Sequence, residues 1–121
     1  MKKKILVVDD ERDFVDFLKK NLRCSNFDPI SVINPTDAIR EAIDKRPDLI
    51  LLDLFMPHKD GYQVLRELKT NEITQHIPVI IVSGWISPNL KAVAKEFGVK
   101  DYLQKPCNIK TVLSSINKNL I

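Results

Sequence analysis

Residues 49–53, Leu49-Ile50-Leu51-Leu52-Asp53, form the most apolar stretch of the sequence and end in an acidic residue. A short, continuous apolar run of this kind is typical of a strand that is buried on both faces of a parallel sheet. We therefore expect Leu49–Leu52 to be a central strand, with Asp53 at its carboxyl end.

Four further segments have the same apolar or β-branched character, and they lie on both sides of the central one: Lys4–Val8, Pro29–Ile33, Pro78–Val82 and Val99–Leu103. Pro29 indicates that its strand lies at an edge of the sheet, because proline has no N–H to donate to a central ladder. The sequence thus predicts five strands.

Helical patterns follow each of these strands. Apolar side chains recur at helical spacing in five stretches: Phe14, Phe17, Leu18 and Leu22; Ala38, Ile39, Ala42 and Ile43; Val64, Leu65 and Leu68; Leu90, Val93, Ala94 and Phe97; and Ile109, Val112, Leu113, Ile116 and Leu120. Asn34-Pro35 and Ser87-Pro88 are typical helix starts, Asn108 is a candidate N-cap, and Gly98 suits the left-handed residue past a helix end. This alternation predicts an α/β fold in three layers: a doubly wound, five-stranded parallel sheet with five helices on its two faces.

Composition narrows the class of protein. With 121 residues we expect one domain over residues 1–121 and no second domain. No apolar run reaches the roughly 18 residues that span a bilayer, and Asp9 ends the first apolar run too early for a signal peptide, so we predict a cytoplasmic protein without membrane contact. Cys24 and Cys107 have no metal-ligand spacing and are expected to be reduced thiols. A net charge of +3 is too weak to indicate direct binding to nucleic acid.

Polar residues stand at four of the five predicted strand ends. Asp9 and Asp10 follow the first strand, Asp53 the third, Ser83 the fourth and Lys105 the fifth. Each alone has an ordinary explanation as a turn, a cap or a loop residue. Because ligands of open α/β sheets bind beyond the carboxyl ends of the strands, their common position instead indicates one site.

The chemistry of that site follows from its residue types. Three converging carboxylates repel one another, and a hard cation with oxygen ligands, Mg²⁺, would remove the repulsion. Lys105 and Ser83 add an ammonium and a hydroxyl, which together with the metal suit a phosphoryl group. Asp53, a single acid on the central strand, is the candidate nucleophile, and the pair Asp9 and Asp10 is better suited to holding the metal.

The ordered set of motifs resembles the receiver domain of two-component response regulators over the whole chain. Val7–Glu11 is similar to the acidic first-strand motif of that family, and Asp53–Gly61 to its phosphorylation-site loop. Ser83 occupies the position of the switch hydroxyl, and Asp101–Pro106 is similar to the fifth-strand motif. The resemblance implies the flavodoxin-like strand order 2-1-3-4-5.

The resemblance also implies roles for individual residues. Asp53 would accept a phosphoryl group from a histidine kinase or a phosphotransfer protein. Asp10, Asp53 and the backbone carbonyl of Phe55 would bind Mg²⁺, and Asp9 would reach it through water. Lys105 would contact the phosphoryl group. The domain would catalyse only its own phosphorylation and dephosphorylation and would not be an enzyme in the usual sense.

The implied output is a conformational switch. Ser83 would swing toward the phosphoryl group, Tyr102 would rotate inward behind it, and the bond before Pro106 would be cis. These changes would alter the surface of the fourth and fifth strands and helices for an output partner or effector domain, whose identity stays open, as does a phosphorylation-dependent dimer.

Two positions depart from the usual polar choices of the family: Phe55, two residues after the phosphoacceptor, and Trp85, two after the switch serine. Both are expected at the mouth of the site. They could be exposed loop residues or partner contacts. The alternative hypothesis is that they hinder the water that hydrolyses the acyl phosphate.

Three other classes compete with this interpretation. A phosphatase of the haloacid-dehalogenase type would need an acid where Phe55 stands, together with a cap domain. An FMN carrier would need a hydroxyl- and glycine-rich loop where Asp9 and Asp10 stand. A pseudo-receiver that binds partners without accepting phosphate is the remaining alternative, although every key residue is present.

Overall fold

A computed structural model describes residues 2–56, 60–84 and 88–120. Its five strands are β1 (Lys4–Val8), β2 (Asp28–Val32), β3 (Leu49–Leu52), β4 (Val79–Ser83) and β5 (Asp101–Gln104). All neighbouring strands are parallel, and they form one sheet in the order β2-β1-β3-β4-β5. This confirms the predicted fold class, its strand order and the edge position of the strand that contains Pro29.

Helices separate the strands: α1 (Arg12–Cys24), α2 (Ala38–Lys45), α3 (Gly61–Thr70), α4 (Pro88–Glu96) and α5 (Ile109–Asn119). A 3-10 turn, Pro35–Asp37, leads into α2, and Asn34 caps this turn by accepting a hydrogen bond from the Thr36 N–H. Asn108 accepts the Thr111 N–H at the start of α5, as its type predicts. In the part of the chain that the structure describes, no helix is long and apolar enough to cross a membrane.

The central strand β3 divides the core into two layers. Leu49 and Leu51 point to one face, where they pack with apolar residues of α1 and α5. Ile50 and Leu52 point to the other face, against α2, α3 and α4. All four are buried, and full burial of such a side chain contributes roughly 2–3 kcal/mol. The continuous apolar run therefore stabilises β3 between two layers of helices.

The pattern of α1 was predicted with one error. Phe17 was assigned to the buried stripe, yet it is 41% exposed, and Val15 is buried in its place. Val15, Leu18 and Leu22 are spaced at i, i+3 and i+7, so they face the sheet together, and Phe17 lies beside this stripe. Phe17 instead stacks on Phe14, with ring centroids 6.4 Å apart.

Candidate functional site

Backbone hydrogen bonds extend the sheet by one residue and fix the candidate residues at its carboxyl edge. The Asp9 N–H donates to the Val32 carbonyl at 3.1 Å, and the Asp53 N–H donates to the Val8 carbonyl at 2.9 Å. The Lys105 N–H donates to the carbonyl of Ser83 at 2.7 Å. The polar side chains thus begin where the apolar strands end.

Three carboxylates meet at this edge. Asp9, Asp10 and Asp53 each offer an oxygen, and these oxygens lie within 4.8 Å of one another. Asp9 and Asp53 are buried and Asp10 is half-buried. An all-oxygen set of this kind matches a hard divalent cation and lacks the nitrogen and sulfur ligands that zinc prefers.

One ammonium group is shared by three carboxylates. The Lys105 Nζ lies 2.8 Å from Asp9 Oδ2 and 2.6 Å from Glu11 Oε1, whereas Asp53 Oδ2 is 3.5 Å away. Nζ also lies 4.4 Å from the centre of the Phe14 ring, in the geometry of a cation–π contact. The ammonium therefore lies closer to the residues at the start of α1 than to Asp53.

The protonation of these groups reflects burial and sharing. Burial raises the pKa of Asp9 to about 6, although the Lys105 ammonium and the Glu11 N–H act against it. Burial likewise raises the pKa of Asp53, against the Phe55 N–H and Lys105. Burial alone would lower the pKa of Lys105, but its hydrogen bonds with Asp9 and Glu11 outweigh this and raise it. The raised pKa of Lys105 is compatible with the raised pKa values of the two aspartates. Several carboxylates stabilise the one charged ammonium, whereas each buried carboxylate is stabilised by only part of that single positive charge.

The Ser83 hydroxyl adds an unusual feature. Its side chain is fully buried at the end of β4, and within residues 2–56, 60–84 and 88–120 its Oγ has no hydrogen-bond partner. A buried polar group without a partner costs about 1–3 kcal/mol, so such groups usually have a reason. A ligand with acceptor oxygens at the carboxyl edge would supply the missing partner.

Gly61 lets the chain return close to the acidic site. Its N–H donates to the Leu54 carbonyl at 3.2 Å. A Cβ atom here would lie 2.3 Å from the Leu54 Cα and 2.6 Å from the carbonyl oxygen of Asp53, which is too close for any other residue. Asp60 caps α3 by accepting the Tyr62 N–H at 2.9 Å. The Asp60-Gly61 pair thus packs the start of α3 against the segment that follows Asp53.

The remaining predicted residues lie around this site. Phe55 follows Asp53 and is 50% exposed, and its N–H donates to Asp53 Oδ1 at 3.1 Å. Tyr102 is 37% exposed, with the Lys91 Nζ 5.4 Å from its ring centre. The peptide bond between Lys105 and Pro106 is cis. Trp85 lies outside the described residues.

Sequence reasoning missed two contacts of Lys105, those with Glu11 and Phe14. Glu11 belongs to the acidic run after β1, but no role was predicted for it beside Asp9 and Asp10. Phe14 was assigned only to the helical stripe. Their positions at the start of α1, directly after the acidic pair, were the signal that could have led to both contacts.

Comparison with known proteins decides the family. Residues 5–117 match the response regulator receiver domain. The chain belongs to this family. It is therefore a receiver domain of two-component signalling, a class of signalling domains that work with phosphodonors such as histidine kinases and with output partners. The family assignment excludes the phosphatase and FMN-carrier alternatives.

Solved structures agree with the receiver fold. Chemotaxis protein CheY4 of Vibrio cholerae has a TM-score of 0.93 at 23% identity, covering 99% of this chain and 100% of that one. A CheY-like receiver domain protein from Methanospirillum hungatei has a TM-score of 0.91 at 22% identity, with 98% and 93% covered. The N-terminal domain of a response regulator receiver protein from Methanoculleus marisnigri has a TM-score of 0.80 at 29% identity, with 97% and 95% covered.

Proposed function

We propose that this receiver takes a phosphoryl group onto Asp53 from a phosphohistidine donor, in a reaction that requires Mg²⁺. The observation that carries the proposal is the meeting of three carboxylates, whose oxygens lie within 4.8 Å of one another, with the Lys105 ammonium. In the transfer, an Asp53 oxygen bonds to phosphorus and the bond from phosphorus to the donor's imidazole nitrogen breaks. The electron pair of that bond stays on the nitrogen.

The residues at the carboxyl edge fit a magnesium ion. Asp10, Asp53 and the backbone carbonyl of Phe55 would hold it directly, and Asp9 would hold it through water. Burial raises the pKa values of Asp9 and Asp53, because the nearby positive charge does not fully compensate the buried carboxylates. A bound cation would supply the missing positive charge. When bound, the ion supplies charge neutralisation for the oxygens of the transferring group.

Two side chains of the protein would bind the phosphoryl group itself. Lys105 offers a nearby ammonium, 3.5 Å from Asp53 Oδ2 and 11% exposed. The Ser83 hydroxyl, buried and without a described partner, would donate to a phosphoryl oxygen. Ser83 ends β4 and Lys105 follows β5, so both lie on the β4 side of β3 and would approach the oxygens of the transferring phosphoryl group.

The contacts of Ser83 and Lys105 with the phosphoryl group would also drive the conformational change. Movement of Ser83 toward the phosphoryl group would change the end of β4 and allow Tyr102 on β5 to turn inward. The Tyr102 ring is partly exposed and lies beside Lys91, which supports an outward position of this side chain in the unphosphorylated state. The surface of β4, α4, β5 and α5 would then change for an output partner or a second receiver. We propose the cytoplasm as the compartment, where free thiols such as Cys24 and Cys107 stay reduced.

The test is transfer from acetyl phosphate, followed by intact-protein mass spectrometry. The unaltered protein should gain one phosphoryl group with Mg²⁺ and none with EDTA. Asp53→Asn should gain none, and Asp48→Asn is the matched control, since it changes an aspartate at the other end of β3. Retention of the adduct in Asp53→Asn would exclude Asp53 as the acceptor. If neither the unaltered protein nor any variant gained a phosphoryl group, the chain would be identified as a pseudo-receiver.

Phe55 is proposed to lengthen the life of the acyl phosphate. Its exposed ring follows the acceptor by two residues and would hinder an attacking water at the mouth of the site. In Phe55→Asn, dephosphorylation should accelerate by about threefold to tenfold, which corresponds to about 1 kcal/mol in the barrier. Phe55→Leu keeps an apolar side chain and should change the rate less. An unchanged rate in Phe55→Asn excludes this role, and the same measurement on Trp85→Ala tests the second aromatic residue.

A further inference from the structure

Glu11 occupies a position where its side chain could cap a helix, but it does not. It is the N-cap residue of α1, with extended backbone angles, and its side chain accepts no capping hydrogen bond. Its Oε1 instead accepts a hydrogen bond from the Lys105 Nζ at 2.6 Å. This is the shortest of the three contacts between that ammonium and a carboxylate.

Phe14 holds the same ammonium from the first turn of α1. The Lys105 Nζ lies 4.4 Å from the centre of its ring, which favours a cation. Glu11 and Phe14 are three residues apart, so they lie on one side of the helix start. Two residues at the start of α1, its N-cap Glu11 and Phe14, therefore hold Lys105 Nζ, while the distance from Nζ to Asp53 Oδ2 is 3.5 Å.

The distances define a competition for one ammonium group. An ammonium has three donors, and here they serve Asp9, Glu11 and, at the longest distance, Asp53. A phosphoryl group on Asp53 would need one of these donors for its own oxygens, so it would compete with Asp9 and Glu11 for the ammonium. The hydrogen bond that Glu11 accepts from Lys105 before phosphorylation therefore opposes a short contact between Nζ and the phosphoryl group.

We propose that Glu11 is a positioning residue that restrains Lys105 on the side of α1 in the unphosphorylated state and thereby slows phosphorylation of Asp53. This inference rests on the proposed function. The proposed effect of Glu11 differs from a general effect of its negative charge, because it depends on the presence of Lys105. Among the hydrogen bonds and ion pairs of the described residues, the Glu11 side chain has Lys105 as its partner and not Asp53.

The kinetic test is the rate of phosphorylation by acetyl phosphate at saturating Mg²⁺. Glu11→Gln should react about threefold to fivefold faster, the factor that corresponds to an ion pair with one exposed partner. Asp13→Asn is the matched control, because it removes the same charge from the first turn of α1 at an exposed position. The control should stay within about twofold of the unaltered protein.

The decisive variant repeats the substitution without Lys105. In the slower Lys105→Met background, Glu11→Gln should give no further acceleration. Equal acceleration in both backgrounds would show a general charge effect and overturn the proposal. An unchanged or lower rate in Glu11→Gln alone would also overturn it.

A second readout needs neither metal nor phosphate. In EDTA, urea unfolding of the two single variants and the double variant gives the coupling between Glu11 and Lys105. We expect a coupling of about twofold to fivefold in the unfolding equilibrium constant, and additivity would overturn the proposal. If the unaltered protein gains no phosphoryl group, the proposed function fails, and the unfolding cycle still decides whether Glu11 restrains Lys105.

Discussion

Asp48 and Asp53 flank the same strand, β3, and have different partners. At the amino end, Asp48 Oδ2 accepts the Lys4 N–H at 2.8 Å, and the Asp48 N–H donates to the Lys4 carbonyl at 2.8 Å. At the carboxyl end, Asp53 Oδ1 accepts the Phe55 N–H at 3.1 Å, and Oδ2 lies 3.5 Å from the shared ammonium of Lys105. Both backbone N–H groups bond to β1, but the Asp48 carboxylate also binds a backbone N–H of β1, whereas the Asp53 carboxylate faces other charged side chains.

The difference teaches how to separate a structural carboxylate from a functional one. A carboxylate that accepts a backbone N–H of a neighbouring strand is part of the fold, and its loss weakens the fold. A buried carboxylate that shares one cation with other carboxylates opposes folding until a ligand arrives. The two ends of β3 should therefore respond in opposite ways to substitution, and only the carboxyl end should respond to Mg²⁺.

The largest expected effect is the pH dependence of stability at the carboxyl end. Folding raises the pKa of Asp9 from 3.8 to about 6, so the folded chain binds this proton more tightly than the unfolded chain. The resulting stabilisation is complete below about pH 4 and is lost as pH rises through about 6, in total about 3 kcal/mol. Urea unfolding in EDTA at several pH values should show this loss.

Two comparisons isolate the contribution of Asp9. The variant Asp9→Asn should be less dependent on pH between about 4 and 7, because the titrating group is gone. In the unaltered protein, excess Mg²⁺ should restore stability above about pH 6, since the ion binds the ionised carboxylates of the folded state. A pH profile that Asp9→Asn leaves unchanged would contradict the assignment of this titration.

Much of this arrangement could be predicted from the sequence. The apolar run Leu49–Leu52 has one stable position, buried between two layers of helices, so the central strand and its carboxyl-terminal acid followed directly. The convergence of Asp9, Asp10, Asp53, Ser83 and Lys105 followed from parallel strands. Strand order came instead from the resemblance to the receiver family.

The contacts of long side chains could not be predicted in the same way. Lys105 reaches several carboxylates, and its choice of Glu11 and Phe14 depends on side-chain rotamers and on the entry angle of α1. The exposure of Phe17 depends on the same angle, because a small rotation of the helix decides whether Val15 or Phe17 faces the sheet. Periodicity alone specifies neither.

Removing the two aspartates that flank β3, one at a time, should change the free energy of unfolding in opposite directions. Asp48→Ala should lower the free energy of unfolding by about 2 kcal/mol, because the Lys4 N–H loses a charged acceptor. Asp53→Ala should raise it by about 1 kcal/mol at neutral pH in EDTA, because one buried, poorly compensated charge disappears. Urea unfolding measures both.

Mg²⁺ titration provides the control for this pair. Asp48→Ala should bind Mg²⁺ as the unaltered protein does, while Asp53→Ala should bind it far more weakly because it lacks a proposed ligand. The comparison fails if Asp53→Ala is the more destabilised variant, since Asp53 would then act as a structural residue like Asp48.

The smallest expected effect extends the rule to β5. Asp101 begins this strand, as Asp48 precedes β3, and its Oδ2 accepts the hydroxyl of the buried Ser115 at 2.6 Å. Ser115→Ala should cost about 1 kcal/mol relative to Ser114→Ala, an exposed neighbour on α5 with the same gain in helix propensity. Affinity for Mg²⁺ should be equal in both variants. A change in Mg²⁺ affinity in Ser115→Ala alone would mean that the amino end of β5 is coupled to the acidic site, and that the two ends of these strands do not act independently.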